Sequence, residues 1–256
     1  MSAPDLESRR GILNPDAAER HFRLTRYAPS EDLAHLVDRH WVVAWDLEQP
    51  FTQEVVSHPS FHMVFEPGAH LIYGVVSQRF RRQLQRSGIA VATKFRPGAF
   101  HAFHPVPAHA LTDRTFPITD VFGPISTEGD ERVRIAAMEE GMRARGFEDD
   151  PRIAELTGLF AAMLDGITTV DELCAHAGYS KRTLQRLFRE YVGVSPKWVL
   201  SRFRLHEAAD RMADGEHDWP RLALELGFFD QAHFIKAFKA VIGRSPADYG
   251  LKTSTM

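Results

Sequence analysis

The sequence has few of the features that mark secreted or membrane proteins. Its 256 residues include a single cysteine, Cys174, so no disulfide can form within the chain. No stretch approaches the roughly 18 uninterrupted apolar residues of a membrane span. The first ten residues carry acids and have no apolar core, unlike a secretory signal. We therefore expect a cytoplasmic protein with no membrane partner.

The chain also lacks a strong net charge. Its formal charge is -3, which by itself argues weakly against a nucleic-acid-binding protein. The distribution of charge matters more than the sum. From Ile167 onward there are 13 Lys and Arg against 11 Asp and Glu, whereas the preceding part has 18 against 23. The last third is the region where a nucleic-acid-binding surface is expected.

The change from short β-forming runs to apolar residues at helical spacing predicts an α+β protein of two domains. We expect a flexible arm over 1–18, a β-rich domain over 19–125, linker helices over 126–166, a helical domain over 167–250 and a tail over 251–256. The linker helices join the two domains. Their apolar stripes either pack within the chain or form a dimer interface.

Short runs of Val, Ile, Phe and Tyr, broken by Pro and Gly, mark the β-rich domain. Their spacing predicts a fold resembling a β-barrel or sandwich of the cupin type, with a turn at Ser87-Gly88. A short helix after Ser30 precedes them. The candidate strands are Trp41–Leu47, Gln53–Val56, Phe61–Glu66, Leu71–Val76, Arg79–Gln85 and Ile89–Phe95.

Two short helices joined by a glycine turn are predicted at the start of the helical domain. Thr169 caps the first helix, Gly178 lies in the turn, and Ser180 caps the second helix, Lys181–Tyr191. One face of that second helix is apolar, and the opposite face carries Lys181, Arg182, Gln185, Arg186 and Arg189. Arg and Lys neutralise phosphates, while Arg and Gln read base edges. The pattern predicts a helix-turn-helix unit that binds DNA; an ordinary solvated face is the alternative.

The same pattern recurs 50 residues further along the chain. Ser180 corresponds to Asp230, Phe188 to Phe238, and the Gly, Ser and Pro that follow are matched as well. Self-similarity at a fixed offset indicates a repeated structural unit. The helix between the copies, Pro196–Ala213, is predicted to be a rigid spacer roughly 25 Å long. Consecutive major grooves lie about 34 Å apart, so a monomer could read two half-sites.

The run LGFFDQAHFIKAFKAVIGRSPADYG, Leu226–Gly250, resembles the signature of the AraC/XylS family of bacterial transcription regulators. The resemblance covers Thr168–Gly250 and implies a seven-helix DNA-binding domain with two helix-turn-helix units. In the family, base contacts come from the exposed face of each second helix. The implied positions are Arg182, Gln185 and Arg186 in the first unit, and Gln231, His233 and Lys236 in the second. Ala232 and Ile235 lie beside the latter and cannot hydrogen-bond a base, so this unit reads thymine methyl groups or mainly holds the DNA backbone.

The N-terminal part resembles an uncharacterised domain that often precedes this DNA-binding domain. The resemblance rests on FEPGAHLIYGVV, KFRPGAF and LTDRTFPITDVFG. It implies a domain that senses a small molecule or mediates dimerisation. The expected partners are double-stranded DNA, RNA polymerase, a small-molecule effector and a second copy of the chain. We expect no enzymatic activity, cofactor or catalytic residue.

An enzyme is the alternative function. Histidines cluster in the β-rich region, and the spacing His101-x-x-His104 suits two metal ligands. A metal- or cofactor-bearing β-barrel would then be fused to a DNA-binding domain. No His-x-His followed by Glu and no paired carboxylate accompanies these histidines, so surface or core histidines are favoured. Cys174 is expected to be a buried structural thiol.

Overall fold

The computed structural model describes residue 18 and residues 20–253, and it confirms the predicted division into a β-rich and a helical domain. The described strands form one antiparallel sheet in the order β1-β2-β5-β3-β4-β6. The strands are β1 (Arg23–Tyr27), β2 (Val37–Val56), β3 (His62–Glu66), β4 (Ala69–Tyr73), β5 (Arg79–Phe95) and β6 (Thr115–Pro117). The edge strands β1 and β6 were not among the candidates. The predicted arm lies almost wholly outside the described residues.

Two long strands, β2 and β5, form the middle of the sheet. Each joins two of the candidate strands into one, so the turn predicted at Ser87-Gly88 is wrong. Gly88 lies inside β5 directly opposite Trp45, and the indole ring of Trp45 occupies the space that a Cβ at residue 88 would need. The glycine therefore accommodates a side chain from the neighbouring strand instead of a turn. The register of β2 against β5 slips between Leu47 and Phe51, around Pro50.

One face of the sheet carries the aromatic core of the N-terminal domain. The short α1 (Thr119–Phe122) and the longer α2 (Glu131–Arg145) cover this face, α2 through Met138 and Met142. Phenylalanine rings fill the space between them: Phe61, Phe95, Phe100, Phe103 and Phe122. The structure starts α2 at Asp130, whose carboxylate accepts hydrogen bonds from two backbone N–H groups of its first turn. Val133, also on this helix, is 54% exposed.

The helix expected after Ser30 is a single 3-10 turn, Glu31–Leu33. Its apolar residues Leu33, Leu36 and Val37 are fully buried, as a helix would also require. The chain nevertheless enters β2 at Val37, because that strand pairs with β5 along most of its length, starting at Val37 opposite Phe95. Tertiary pairing has here overridden a local helical pattern.

Six of the described helices lie in the predicted helical domain, and a seventh, from the predicted linker, packs on the core of the first unit. They are α3 (Pro151–Leu164), α4 (Val170–Ala177), α5 (Lys181–Leu187), α6 (Pro196–Ala213), α7 (Trp219–Glu225), α8 (Gln231–Ile242) and α9 (Pro246–Thr253). A π-helical turn, Phe188–Val192, continues α5. None of the described helices has both the length and the apolar character that crossing a membrane requires.

The spacer helix α6 belongs to the cores of both units. Its first half packs Val199 and Leu200 into the core of the first unit, and its second half packs Leu205 and Met212 into the core of the second. Ser195 caps the helix and Pro196 opens it, so its 18 residues begin and end where the sequence predicts. At 1.5 Å per residue it is about 27 Å long.

Candidate nucleic-acid interface

Each recognition helix begins at a cap that the sequence predicts. Ser180 Oγ accepts the backbone N–H of Thr183 at 3.2 Å, and Asp230 Oδ1 accepts that of His233 at 2.7 Å. In the first unit, the hydroxyl of Thr169 and the carboxylate of Glu172 cap α4 reciprocally. These caps fix the first turn of each recognition helix, which is the end that enters the major groove in helix-turn-helix proteins.

All eight predicted DNA-binding residues have exposed side chains. On α5, the apolar residues Leu184 and Leu187 are buried below, so the opposite side of the helix faces outward. The outward side chains of Arg182, Gln185 and Arg186 make no hydrogen bond or ion pair with other described residues. Three side chains suited to base edges and phosphates are therefore available at once.

Lys181 is exposed but paired. Its ammonium lies 2.6 Å from the carboxylate of Asp171 on α4, and both side chains are mostly exposed. The hydrogen bond to Asp171 raises the pKa of Lys181, so this lysine stays charged. An exposed pair of this kind is weak and exchanges its partner readily.

Arg189 lies at the other end of the helix and faces the N-terminal domain. Its Nη2 is 2.8 Å from Nε2 of His109, and its neighbour Glu190 is 3.7 Å from Nε2 of His101. The sequence groups Arg189 with the other cations because their helical spacing is shared. The structure separates it from them, since the N-terminal domain lies along the last turn of this helix.

The second unit presents a less polar surface. Gln231, Ala232, His233 and Lys236 are exposed along the first turns of α8, while Ile235 is half-buried against the core of its own unit. The sequence from Gln231 to Ile242 contains no acid. This unit thus offers one amide, one imidazole and a lysine, with a methyl group between them.

Phe229 is a candidate that the sequence pattern did not single out. It immediately precedes the cap of α8 and its side chain is 88% exposed. The offset of 50 residues places Tyr179 at the same point of the first unit, where Arg152 of α3 donates a hydrogen bond to its hydroxyl at 2.9 Å. Phe229 is much less covered and stands at the end of the recognition helix that faces DNA in related architectures. Comparing the two repeats position by position would have identified it.

The N-terminal domain contacts both recognition helices at their C-terminal ends. Thr112 donates a hydrogen bond to the carbonyl of Gly193 at 2.7 Å, and Arg79 donates one to the carbonyl of Ile242 at 2.9 Å. Gly193 and Gly243 are equivalent in the repeat, and both adopt positive φ. The capped N-terminal ends of the two helices remain exposed.

The histidines considered as metal ligands have different neighbours. His101 packs against Tyr191 with the rings tilted by 36° and their centroids 4.4 Å apart, whereas His104 packs against Phe100 and Phe116. Burial lowers the pKa of His104. Among the described residues no group of three or more His, Cys, Asp or Glu side chains is placed to hold a metal ion. Cys174 is half-buried and packs against the core of the first unit.

Comparison with known families and proteins divides the chain in the same way. A family model described as a helix-turn-helix domain matches residues 173–251, and a domain of unknown function (DUF6597) matches residues 25–117. The HTH-type transcriptional activator AarP of Providencia stuartii is 34% identical over 99 residues, which are 39% of this chain and 73% of that protein. The HTH-type transcriptional regulator ArgR of Pseudomonas aeruginosa is 26% identical over 121 residues, which cover 47% of this chain but 35% of that protein.

Solved structures of regulators are also similar to this chain. A transcriptional regulator from Chromobacterium violaceum, described as a protein with an AraC-type DNA-binding domain, is 23% identical with a TM-score of 0.36. The match covers 41% of this chain and 94% of the chain of that regulator. ToxT from Vibrio cholerae is 10% identical with a TM-score of 0.41. The match covers 93% of this chain and 100% of the ToxT chain.

Proposed function

Because the chain belongs to the AraC-type family of helix-turn-helix transcription regulators, we propose that it reads two half-sites on one DNA duplex, one with each recognition helix. The observation that carries this proposal is the equivalence of the two helices. Both begin at a polar cap, both expose their first turns, and both pack on the single helix α6. A rigid spacer of about 27 Å suits a separation of one helical turn of DNA.

The two units contribute unequally to DNA recognition in this proposal. Arg182, Gln185 and Arg186 give the first unit donors for guanine and adenine edges, so it supplies most of the sequence discrimination. The second unit relies on Gln231 and Lys236 for polar contacts, with Ala232 available to a thymine methyl group. Lys181 contributes a phosphate contact, and Arg189 contributes little, since it contacts His109 in the π-helical turn beyond α5.

The N-terminal domain is proposed to convey a signal to both units. Its contacts at Gly193 and Ile242 support this role, because a change in the domain would act on both recognition helices at the same point. We infer that the signal is a small molecule only because such N-terminal domains commonly sense one in this family. Self-association through this domain, contact with RNA polymerase and a cytoplasmic location are proposed on the same basis. The absence of enzymatic activity is inferred from relatives that are named as transcription regulators.

Selection of bound duplexes from a random library tests the proposal. The full chain should enrich a motif of two half-sites whose centres lie about one helical turn apart. Arg186→Ala should relax the preferences in one half-site and Lys236→Ala those in the other. Enrichment of a single half-site, or the same change in the motif for both variants, would contradict the two-site reading.

A further inference from the structure

Arg202, in the first half of α6, is a buried cation at the junction of the two domains. Its side chain is 3% exposed. Nη2 donates a hydrogen bond to the carbonyl of Ser77 in the N-terminal domain at 2.7 Å, and the guanidinium lies over the ring of Trp198, 4.3 Å from its centroid. Nη1 is buried and has no hydrogen-bond partner in the described part of the chain.

No carboxylate balances this charge in the described structure. Burial alone lowers the pKa of Arg202 to about 10, with no opposing contribution from an acid. Arg211, further along the same helix, shows the ordinary arrangement: Glu225 and Glu216 lie 2.7 and 3.3 Å from its Nη2 and raise its pKa. A guanidinium remains charged in proteins, and a buried charge without a counter-ion is destabilising. The site therefore favours an anion.

A groove lies beside Arg202, between α6 and α8. Its volume is about 310 Å³. Its lining combines a second cation, two hydroxyl groups and an apolar wall, and contains no acid among the described residues: Ser195, Lys197, Trp198, Ser201, Arg202, Leu205 and Val241. Ligand sites typically pair a mostly apolar lining with a few placed polar groups, in volumes from about 300 Å³ upward.

We propose that this groove binds a small organic carboxylate. The carboxylate group is held by Arg202 and Lys197 with the Ser201 hydroxyl as a further donor, and the apolar part of the ligand lies on Trp198, Leu205 and Val241. Guanidinium and carboxylate form the strongest charge-assisted hydrogen bonds available here. A free inorganic anion would leave the apolar wall uncovered, so an acid with a ring or a short alkyl chain fits better.

The position of the groove links three parts of the molecule. Arg202 is bonded to Ser77 of the N-terminal domain, Val241 belongs to the second recognition helix, and Ser195 is the cap of α6 just after the first unit. A ligand in this groove would bias the arrangement of the N-terminal domain and both DNA-binding units. Binding of the carboxylate does not depend on the proposed DNA reading, whereas its effect on DNA affinity does.

Calorimetric titration of the full chain with benzoate and octanoate tests the site, with benzamide and octanamide as uncharged counterparts. The carboxylates should bind and the amides should bind at least about tenfold more weakly, because a charged hydrogen-bonded pair is lost. Arg202→Met should lose carboxylate binding. Arg204→Met is the control, since Arg204 is a half-buried arginine of the same helix that bonds the carbonyl of Gly227 and does not line the groove.

Two results would overturn the proposal. One is the absence of carboxylate binding to the wild-type chain at millimolar concentration, and the other is equal binding to the wild type and Arg202→Met. Ser201→Phe keeps the guanidinium and fills the groove, so it decides the question if Arg202→Met does not fold: undiminished binding to Ser201→Phe would reject the site. Separate titrations with DNA in the absence of carboxylate report whether the proposed DNA reading has failed.

Discussion

Gly193 and Thr112 are in contact at a distance that leaves no room for a side chain. A Cβ on Gly193 would lie 2.7 Å from the hydroxyl oxygen of Thr112 and 2.9 Å from the carbonyl oxygen of Ala108. The glycine also has a φ of +91°, a conformation that other residues adopt at a cost. The close approach of the N-terminal domain to the first recognition helix thus depends on this residue.

Replacing this glycine should loosen the contact between the domains. Gly193→Ala is expected to destabilise the chain by more than the backbone strain alone, which is about 1–2 kcal/mol. Gly215→Ala measures the strain by itself, since Gly215 has a φ of +96° and open space around its Cα. Urea unfolding of both variants checks the difference. Equal losses of stability would show that the contact with Thr112 contributes nothing.

Two arginines on the same helix should differ in their effect on DNA binding. Arg186→Ala is expected to weaken binding to the selected site by about 1–3 kcal/mol and to relax its specificity. Arg189→Ala should change specific binding little, because this side chain lies against His109. Electrophoretic mobility shifts with the selected site and with random DNA measure both. Equal losses for the two variants would contradict the assignment of base reading to α5 rather than to the π-helical turn that follows it.

Removing the acid beside Lys181 should strengthen DNA binding. Asp171→Asn frees the ammonium for a phosphate and removes a negative charge from the DNA-facing side, so affinity should rise roughly twofold to fivefold. The slope of affinity against salt should steepen by about one counter-ion. Glu140→Gln removes an exposed acid from α2 in the N-terminal domain and serves as the control. An unchanged salt slope for Asp171→Asn would place Lys181 away from the phosphates.

Leu184 should be essential for the stability of the first unit. Its side chain is fully buried in the core of the first unit, so Leu184→Ala is expected to cost about 2–5 kcal/mol of unfolding free energy. Leu224→Ala removes the same atoms from a side chain that is 67% exposed and should cost much less. Thermal unfolding of the two variants provides the comparison, and similar midpoints would refute the core position of Leu184.

The stability of the N-terminal domain should fall in mild acid through His62. Burial lowers the pKa of His62 to about 3, with the charge of Lys94 acting in the same direction, and the indole of Trp41 donates a hydrogen bond to its Nδ1 at 3.2 Å. In the unfolded chain the pKa is about 6.5. The unfolded state therefore binds the proton more tightly, so the stability present above pH 6.5 is lost as the pH falls toward 3.

A substitution at this position isolates the contribution of His62 from those of the other histidines. His62→Gln should flatten the decline of the urea midpoint between pH 7 and pH 4, whereas His176→Gln, at an exposed position on α4, should leave it unchanged. A decline of the same steepness in the wild type and His62→Gln would show that another group is responsible.

The helical domain could be predicted closely because its signals are local. Ser195 and Pro196 predict the start of α6, and the caps Ser180 and Asp230 predict the starts of the recognition helices. The repeat then fixes which faces are buried. Such rules act over a few residues and need no knowledge of distant parts of the chain.

The remaining features depend on contacts between residues far apart in the sequence. The sequence around Gly88 predicts a turn, because it does not show that Trp45 lies opposite this glycine. The segment after Ser30 has a helical pattern, but the pairing of β2 with β5 limits the helix to one turn. The sequence likewise gives no sign that His109 lies beside Arg189. The burial of Arg202 without an acid is likewise invisible in the sequence, because Ser77 reaches it from the other domain.

Tethered DNA cleavage tests the central claim most directly. In a chain whose Cys174 is replaced by Ala, single cysteines at positions 182 and 232 would carry an iron chelate that cuts nearby DNA. The account predicts two cleavage centres on the selected site, one for each position, about one helical turn apart on the same face of the duplex. Cleavage from both positions at one place, or no localised cleavage from position 232, would contradict it.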